Sequence, residues 1–182
     1  LYKISGIRMR KSIKFSFMLC LIITTFMISA CSVDVNTTAT KNEKASEVKL
    51  IADATKYYRI TGKELISFLG NPESKEPWDF ASPNGKKYKA ITYTYDGGNQ
   101  EFLSIDGKIV RFTYYGNGMK YKNDNDLYKS FGFVPKEDMK IVIKSDNALK
   151  VHSVTEKIPE FWAVILDNEI DTVKITYDLR YF

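Results

Sequence analysis

Residues able to do chemistry are few and widely spaced. Cys20 and Cys31 are the only cysteines, and His152 is the only histidine, set in a strand-like alternation. A serine hydrolase or a metal hydrolase would have to use that imidazole. No Gly-x-Ser-x-Gly, His-Glu-x-x-His or phosphate-loop pattern accompanies it, and a lone strand histidine reads as structural. Acidic residues gather at Asp124 and Asp126 and at Asp167, Glu169 and Asp171, but the Asp-x-Asp-x-Asp-Gly loop of a calcium site is missing. Cap and turn roles suit them better. No metal or cofactor is expected. Glycosidase-type carboxylate pairs come from distant positions and leave no motif, so a hydrolase stands as the alternative to a binding protein.

Cys31 is the thiol with a context. Arg8, Arg10, Lys11 and Lys14 precede a mostly apolar run over 15–30, and Ile28-Ser29-Ala30 leads into Cys31. The run is short of the roughly 20 apolar residues a spanning helix needs, and a basic start, short apolar stretch and small residues at its end describe a signal peptide over 1–30. Ile28-Ser29-Ala30-Cys31 resembles the lipobox of bacterial lipoproteins. The resemblance implies cleavage before Cys31, a diacylglyceryl group on its thiol and acylation of its freed amine. One chain binds a bilayer marginally, while two or three hold it stably. The expected location is extracytoplasmic, anchored on the outer face of the cell membrane. In a two-membrane cell, Ser32 in place of Asp implies passage to the outer membrane. Met9-Arg10-Lys11 would open a signal of ordinary shape.

Charge changes meaning after that cut. The chain carries 27 basic and 22 acidic residues, for a net charge of +5. The excess lies within 1–30, so the remainder is neutral and lacks the basic footprint of a nucleic-acid binder. It also has no cysteine free for a disulfide, so an ordinary core must stabilise it. Positions 31–47, few in large apolar residues, read as the lipidated cysteine and a flexible tether reaching roughly 20–24 Å.

The expected fold over 48–182 is α+β, with antiparallel meanders and short helices on one face. Thr61-Gly62-Lys63-Glu64 is a capping box. It opens a helix that turns Leu65, Phe68 and Leu69 inward and stops at Gly70 and Pro72. Positions 71–87 hold three prolines and read as a long loop presenting Trp78 and Phe80, the candidate partner contacts. Strands are expected over 88–95, 101–105 and 108–115, with Asp106-Gly107 as a type I′ turn. Leu103, Ile105, Val110, Phe112 and Tyr114 would then share one face. A second helix over 124–131 is capped by Asp124 or Asn125. Strands over 139–144, 149–154, 161–166 and 171–181 follow.

The halves 57–121 and 122–182 look alike. The segment 65–73 resembles 127–137, and 104–115 resembles 165–177, which suggests two copies of one helix-meander unit. The Leu-Gly-Asn-Pro helix exit at 69–72, with Trp78 in the next segment, resembles the SmpA/BamE kind of small lipoprotein module. A doubled copy resembles the β-lactamase-inhibitor-protein architecture. Those families bind proteins through sheet and loops. The expected function is therefore a non-catalytic, membrane-anchored lipoprotein. It would touch the bilayer through acylated Cys31 and bind a protein or cell-wall component, with no nucleic acid.

Overall fold

Thr61 and Glu64 start the first helix as the capping box requires. In the computed structural model, which describes residues 48–182, the Glu64 amide donates to Thr61 Oγ1 at 3.2 Å. The Thr61 amide donates to Glu64 Oε2 at 2.7 Å. The lipobox-like motif with Cys31, the signal segment and the tether lie outside the described residues. Helix α1 (Gly62–Leu69) ends at Gly70, whose φ of 82° suits a residue without a Cβ. Leu65 is fully buried and Ile66 packs beside it, but Phe68 and Leu69 are exposed. The core reaches only the first turns of this short helix, so the expectation for those two residues is corrected.

Four strands follow: β1 (Ser74–Ala81), β2 (Lys87–Tyr95), β3 (Gln100–Ile105) and β4 (Lys108–Tyr115). Then come α2 (Asp124–Ser130), β5 (Lys140–Ser145), β6 (Ala148–His152), β7 (Glu160–Leu166) and β8 (Glu169–Thr176). All strands join one eight-stranded antiparallel sheet in the order β1-β2-β3-β4-β8-β7-β6-β5. The fold is α+β. Each helix precedes a four-strand meander, and the two meanders meet where β4 pairs with β8.

Asn123, rather than Asp124 or Asn125, caps α2, its side chain accepting from the Asp126 amide at 2.9 Å. Asp106-Gly107 and Asp167-Asn168 are both two-residue turns with positive φ at each position, the geometry that matches strand twist.

The expected loop at 71–87 is largely strand. Ser74–Ala81 pairs along its whole length with β2 and forms one edge of the sheet. Pro77 is tolerated there because an edge strand has one unpaired side. A bulge between Leu103 and Ser104 also changes the expected register, placing Leu103 opposite Arg111. An extra residue flips the side chains beyond it. Phe112 and Tyr114 therefore face the helices, while Leu103, Ile105 and Val110 face away.

The main core lies between the sheet and the helices. Phe102 stacks on Phe112 with centroids 4.7 Å apart, and Tyr57, Phe131 and Phe161 extend the aromatic cluster. Leu65 of α1, with Leu127 and Tyr128 of α2, belongs to the same buried group. The segment before α1 is strapped onto this layer. The Ile51 and Ala54 amides donate to the carbonyls of Ser130 and Phe131, and the buried Tyr177 hydroxyl donates to the Ala54 carbonyl at 2.8 Å. Strand β8 ends at Thr176, earlier than expected. The chain then turns at Asp178, and Tyr181 crosses to the other face.

Phe161 is fully buried, with ring contacts to Tyr128, Phe131 and Phe133. Truncation to Ala should cost about 3–5 kcal/mol, whereas Thr61→Ala at the α1 cap should cost about 1 kcal/mol. Urea denaturation of the two variants checks that order.

Candidate functional site

Strands alternate their side chains, so the sheet must show a second face. Among the described residues, no α-helix covers it. Its cover is the short segment 178–182. Asp178 accepts a bidentate pair of bonds from Arg180, Nε at 2.9 Å and Nη2 at 2.6 Å, and Arg59 lies 3.8 Å away. This clamp directs Tyr181 onto Tyr88, edge to face at 4.9 Å, and its hydroxyl donates to Asp106 at 2.8 Å. Phe182 meets Phe80 edge to face at 5.5 Å. A small second core forms there from Ala90, Ile105, Val110 and Tyr181.

Trp78 and Phe80 both lie on this face, two residues apart on β1. Trp78 donates from its indole nitrogen to Thr92 Oγ1 at 3.0 Å and packs edge to face on Phe80 at 5.6 Å. Its side is 44% exposed, while Phe80 is half-buried. The two candidate contacts are therefore neighbours on a rigid strand rather than tips of a loop. A shallow depression beside them is lined by Pro77, Trp78, Ala90 and Asp106.

The other half of the face is cationic. The pairing register aligns Leu103, Arg111, Thr176, Glu160, His152 and Lys140 across successive strands. The next row holds Thr113, Lys174, Trp162 and Lys150. Glu160 is the hub. Its carboxylate takes Lys150 Nζ and His152 Nε2, each at 3.0 Å, and Thr176 Oγ1 at 3.4 Å. The Arg111 guanidinium lies 3.4 Å over the Phe182 ring. Burial pulls its pKa down to about 10, with Glu160 opposing the shift. Trp162 sits between Lys150 and Lys174, whose ammonium groups lie 5.1 and 5.6 Å from its ring.

This arrangement suits recognition of a surface with anionic groups and flat apolar parts. Cations held beside aromatic rings can pair with carboxylates or phosphates while the rings supply contact area. His152 Nε2 and Thr176 Oγ1 both meet the Glu160 carboxylate, and Thr176 donates to it. Sequence reasoning missed Arg111, Lys150, Glu160, Trp162, Lys174 and Phe182. For all but Phe182, which lies beyond the last strand, the signal was the side of the strand alternation opposite the core face. On the helix side, a cleft of about 630 Å³ is lined by Leu50, Tyr114, Met119, Tyr121, Asp126 and Leu127.

No protein family, curated protein or solved structure matches this chain.

Two tests follow from this geometry. Trp78→Ala removes one exposed hydrogen bond and one edge-to-face ring contact. The expected loss is about 1–2 kcal/mol, below the cost of a buried aromatic, and a chemical melt reads it. The hydrogen bond from Arg180 holds the Asp178 carboxyl below its ordinary value of 3.8. The folded pKa lies below the unfolded one, so this stabilisation is present above about pH 4 and fades as the pH falls through the folded value. Acidification from about pH 5 to pH 2 should therefore lower the melting temperature of the parent chain more than that of Asp178→Asn. Calorimetry of both across that range gives the comparison.

Proposed function

We propose that the chain is a lipid-anchored bacterial envelope protein acting as a non-catalytic binding module. Acylated Cys31 would hold it at the outer face of the membrane, and the sheet's second face would take a protein or cell-envelope component. The observation carrying the reading is that face itself. Half-exposed Trp78 and lysine-flanked Trp162 stand on it, and no α-helix lies over them among the described residues. Large aromatic and cationic side chains on a shallow surface are what protein interfaces favour. Ile28-Ser29-Ala30-Cys31 supports the anchor.

The two halves are, in this reading, copies of one helix-meander unit. The order of helix then four strands, repeated, supports it, as do the paired turns at Asp106-Gly107 and Asp167-Asn168. The doubled unit resembles the β-lactamase-inhibitor-protein architecture, a resemblance that implies protein binding through the sheet and loops.

The test uses the full chain expressed in a bacterial host, with membranes cross-linked before solubilisation. Trp162→Ala, and separately Lys150→Glu with Lys174→Glu, should lose the cross-linked partner while staying in the membrane fraction. Loss of an interface tryptophan commonly costs about 2 kcal/mol or more. Cys31→Ser should do the reverse and leave the membrane fraction. Unchanged cross-linking in both face variants would remove the sheet face from the proposal.

A further inference from the structure

Two cations on the sheet's second face have no acid of their own. Arg111 and Lys174 make no ion pair among the described residues. They stand diagonally on neighbouring strands, with Arg111 opposite Thr176 and Lys174 opposite Thr113. Diagonal neighbours in an antiparallel pair are roughly 7–8 Å apart, within reach of long side chains. The two charges therefore repel across the β4–β8 seam. The nearest carboxylates of this face are already engaged. Glu160 takes Lys150, His152 and Thr176. Glu101, opposite Thr113, accepts from the Tyr115 hydroxyl at 3.0 Å. Burial lowers the Arg111 pKa only to about 10, which leaves the guanidinium charged at neutral pH.

Each of the two cations is held against a ring. The Arg111 guanidinium lies 3.4 Å over Phe182, and the Lys174 ammonium lies 5.6 Å from the Trp162 ring. All four residues are half-buried. Arg111 Nε and Trp162 Nε1 are buried, with no hydrogen-bond partner among the described residues. Across the strands the order runs Phe182, Arg111, Lys174, Trp162.

We infer that this seam binds an acidic segment of another protein, its carboxylate between Arg111 and Lys174 and its flanking apolar side chains on Phe182 and Trp162. The inference rests on the binding role proposed for this face and names the partner's chemistry. Charge complementarity calls for an anion at the two cations. The aromatic residue at each end calls for apolar groups beside that anion, which a protein segment carries and a bare phosphate chain does not. A second copy joined two-fold through this seam would set cation against cation, and such like-charge contacts are costly.

Heteronuclear NMR of the full chain in detergent micelles tests it through the Arg111 Nε–H and Trp162 Nε1–H signals. The first probe is the capped peptide Thr-Leu-Thr-Glu-Thr-Leu-Thr, which when extended puts both Leu and the Glu on one side. The others are the same peptide with Gln for Glu, and inorganic tripolyphosphate. The Glu peptide should move both signals and bind about tenfold more tightly than the Gln peptide, because charge-assisted hydrogen bonds are the stronger kind. Lys174→Gln should remove that preference, and Lys174→Arg should keep it. The inference is overturned if the two peptides bind equally, if neither binds, or if the shifts fall elsewhere. It is also overturned if tripolyphosphate moves the signals as readily as the Glu peptide. Self-association of the chain that Lys174→Gln abolishes would make a second copy the occupant and overturn it too. In cross-linked membranes, a partner lost in Trp162→Ala but kept in Lys174→Gln would sink this inference and leave the binding face standing. A partner kept in both would count against the face itself.

Discussion

One ladder makes the molecule a single sheet. Six of the seven strand pairings join consecutive strands, and only β4 with β8 joins distant ones. That pairing runs from Arg111 opposite Thr176 to Tyr115 opposite Thr172. On the helix side it sets Phe112 beside Ile175 and Tyr114 beside Val173, all buried. On the other side it sets Arg111 beside Thr176 and Thr113 beside Lys174. The aromatic core and the cationic row are therefore two consequences of one register. A one-residue slip would exchange them, placing guanidinium in the core and phenyl rings in water. The linker after β4 reinforces the choice. Gly116 lies so close to the Ile170 carbonyl that a Cβ would sit 1.5 Å from it, and Ile170 and Tyr121 bond back across the same junction.

The sheet's two faces divide the work. The helix face is nearly continuous hydrocarbon and aromatic surface, closed by α1, α2 and the strap before them. The second face is closed only over the first meander, where the Asp178 clamp lays Tyr181 and Phe182 on it. Over the second meander, long cationic side chains cover their own strands. Lys150 and Lys174 bring their ammonium groups over the Trp162 ring, and Lys150 also reaches the Glu160 carboxylate.

Local signals were legible and non-local ones were not. The capping box at Thr61, the Gly70 stop and the Asp106-Gly107 turn act over a few residues, and each stands where the sequence puts it. Strand β1 was hidden because three prolines over 71–87 read as loop, and only its place at a sheet edge makes Pro77 tolerable. Phe68 looked like core because helical periodicity counts apolar residues without knowing how far the sheet extends beneath them. The bulge at Leu103 and Ser104 left no local mark, so Leu103, Ile105 and Val110 were put on the face of Phe112 and Tyr114, and of the five only those two face the helices. Trp78 and Phe80 were singled out for their residue type, and the structure places them side by side. Glu160, Lys150, His152 and Thr176 come from the consecutive strands β6, β7 and β8, and only Arg111 joins them through the β4–β8 register, which no window of sequence contains. The lipobox-like motif at Cys31 lies outside the described residues.

The placement of the indoles has an optical consequence. The chain has two tryptophans, and each meander holds one, both on the second face. Trp78 is partly in water, whereas Trp162 lies under two ammonium groups and has a buried ring nitrogen without a hydrogen-bond partner. Their emission maxima should therefore differ, the first shifted toward the red by solvent relaxation and the second tuned by the nearby charges. Intrinsic fluorescence of the unlabelled protein thus carries one colour for each half of the face.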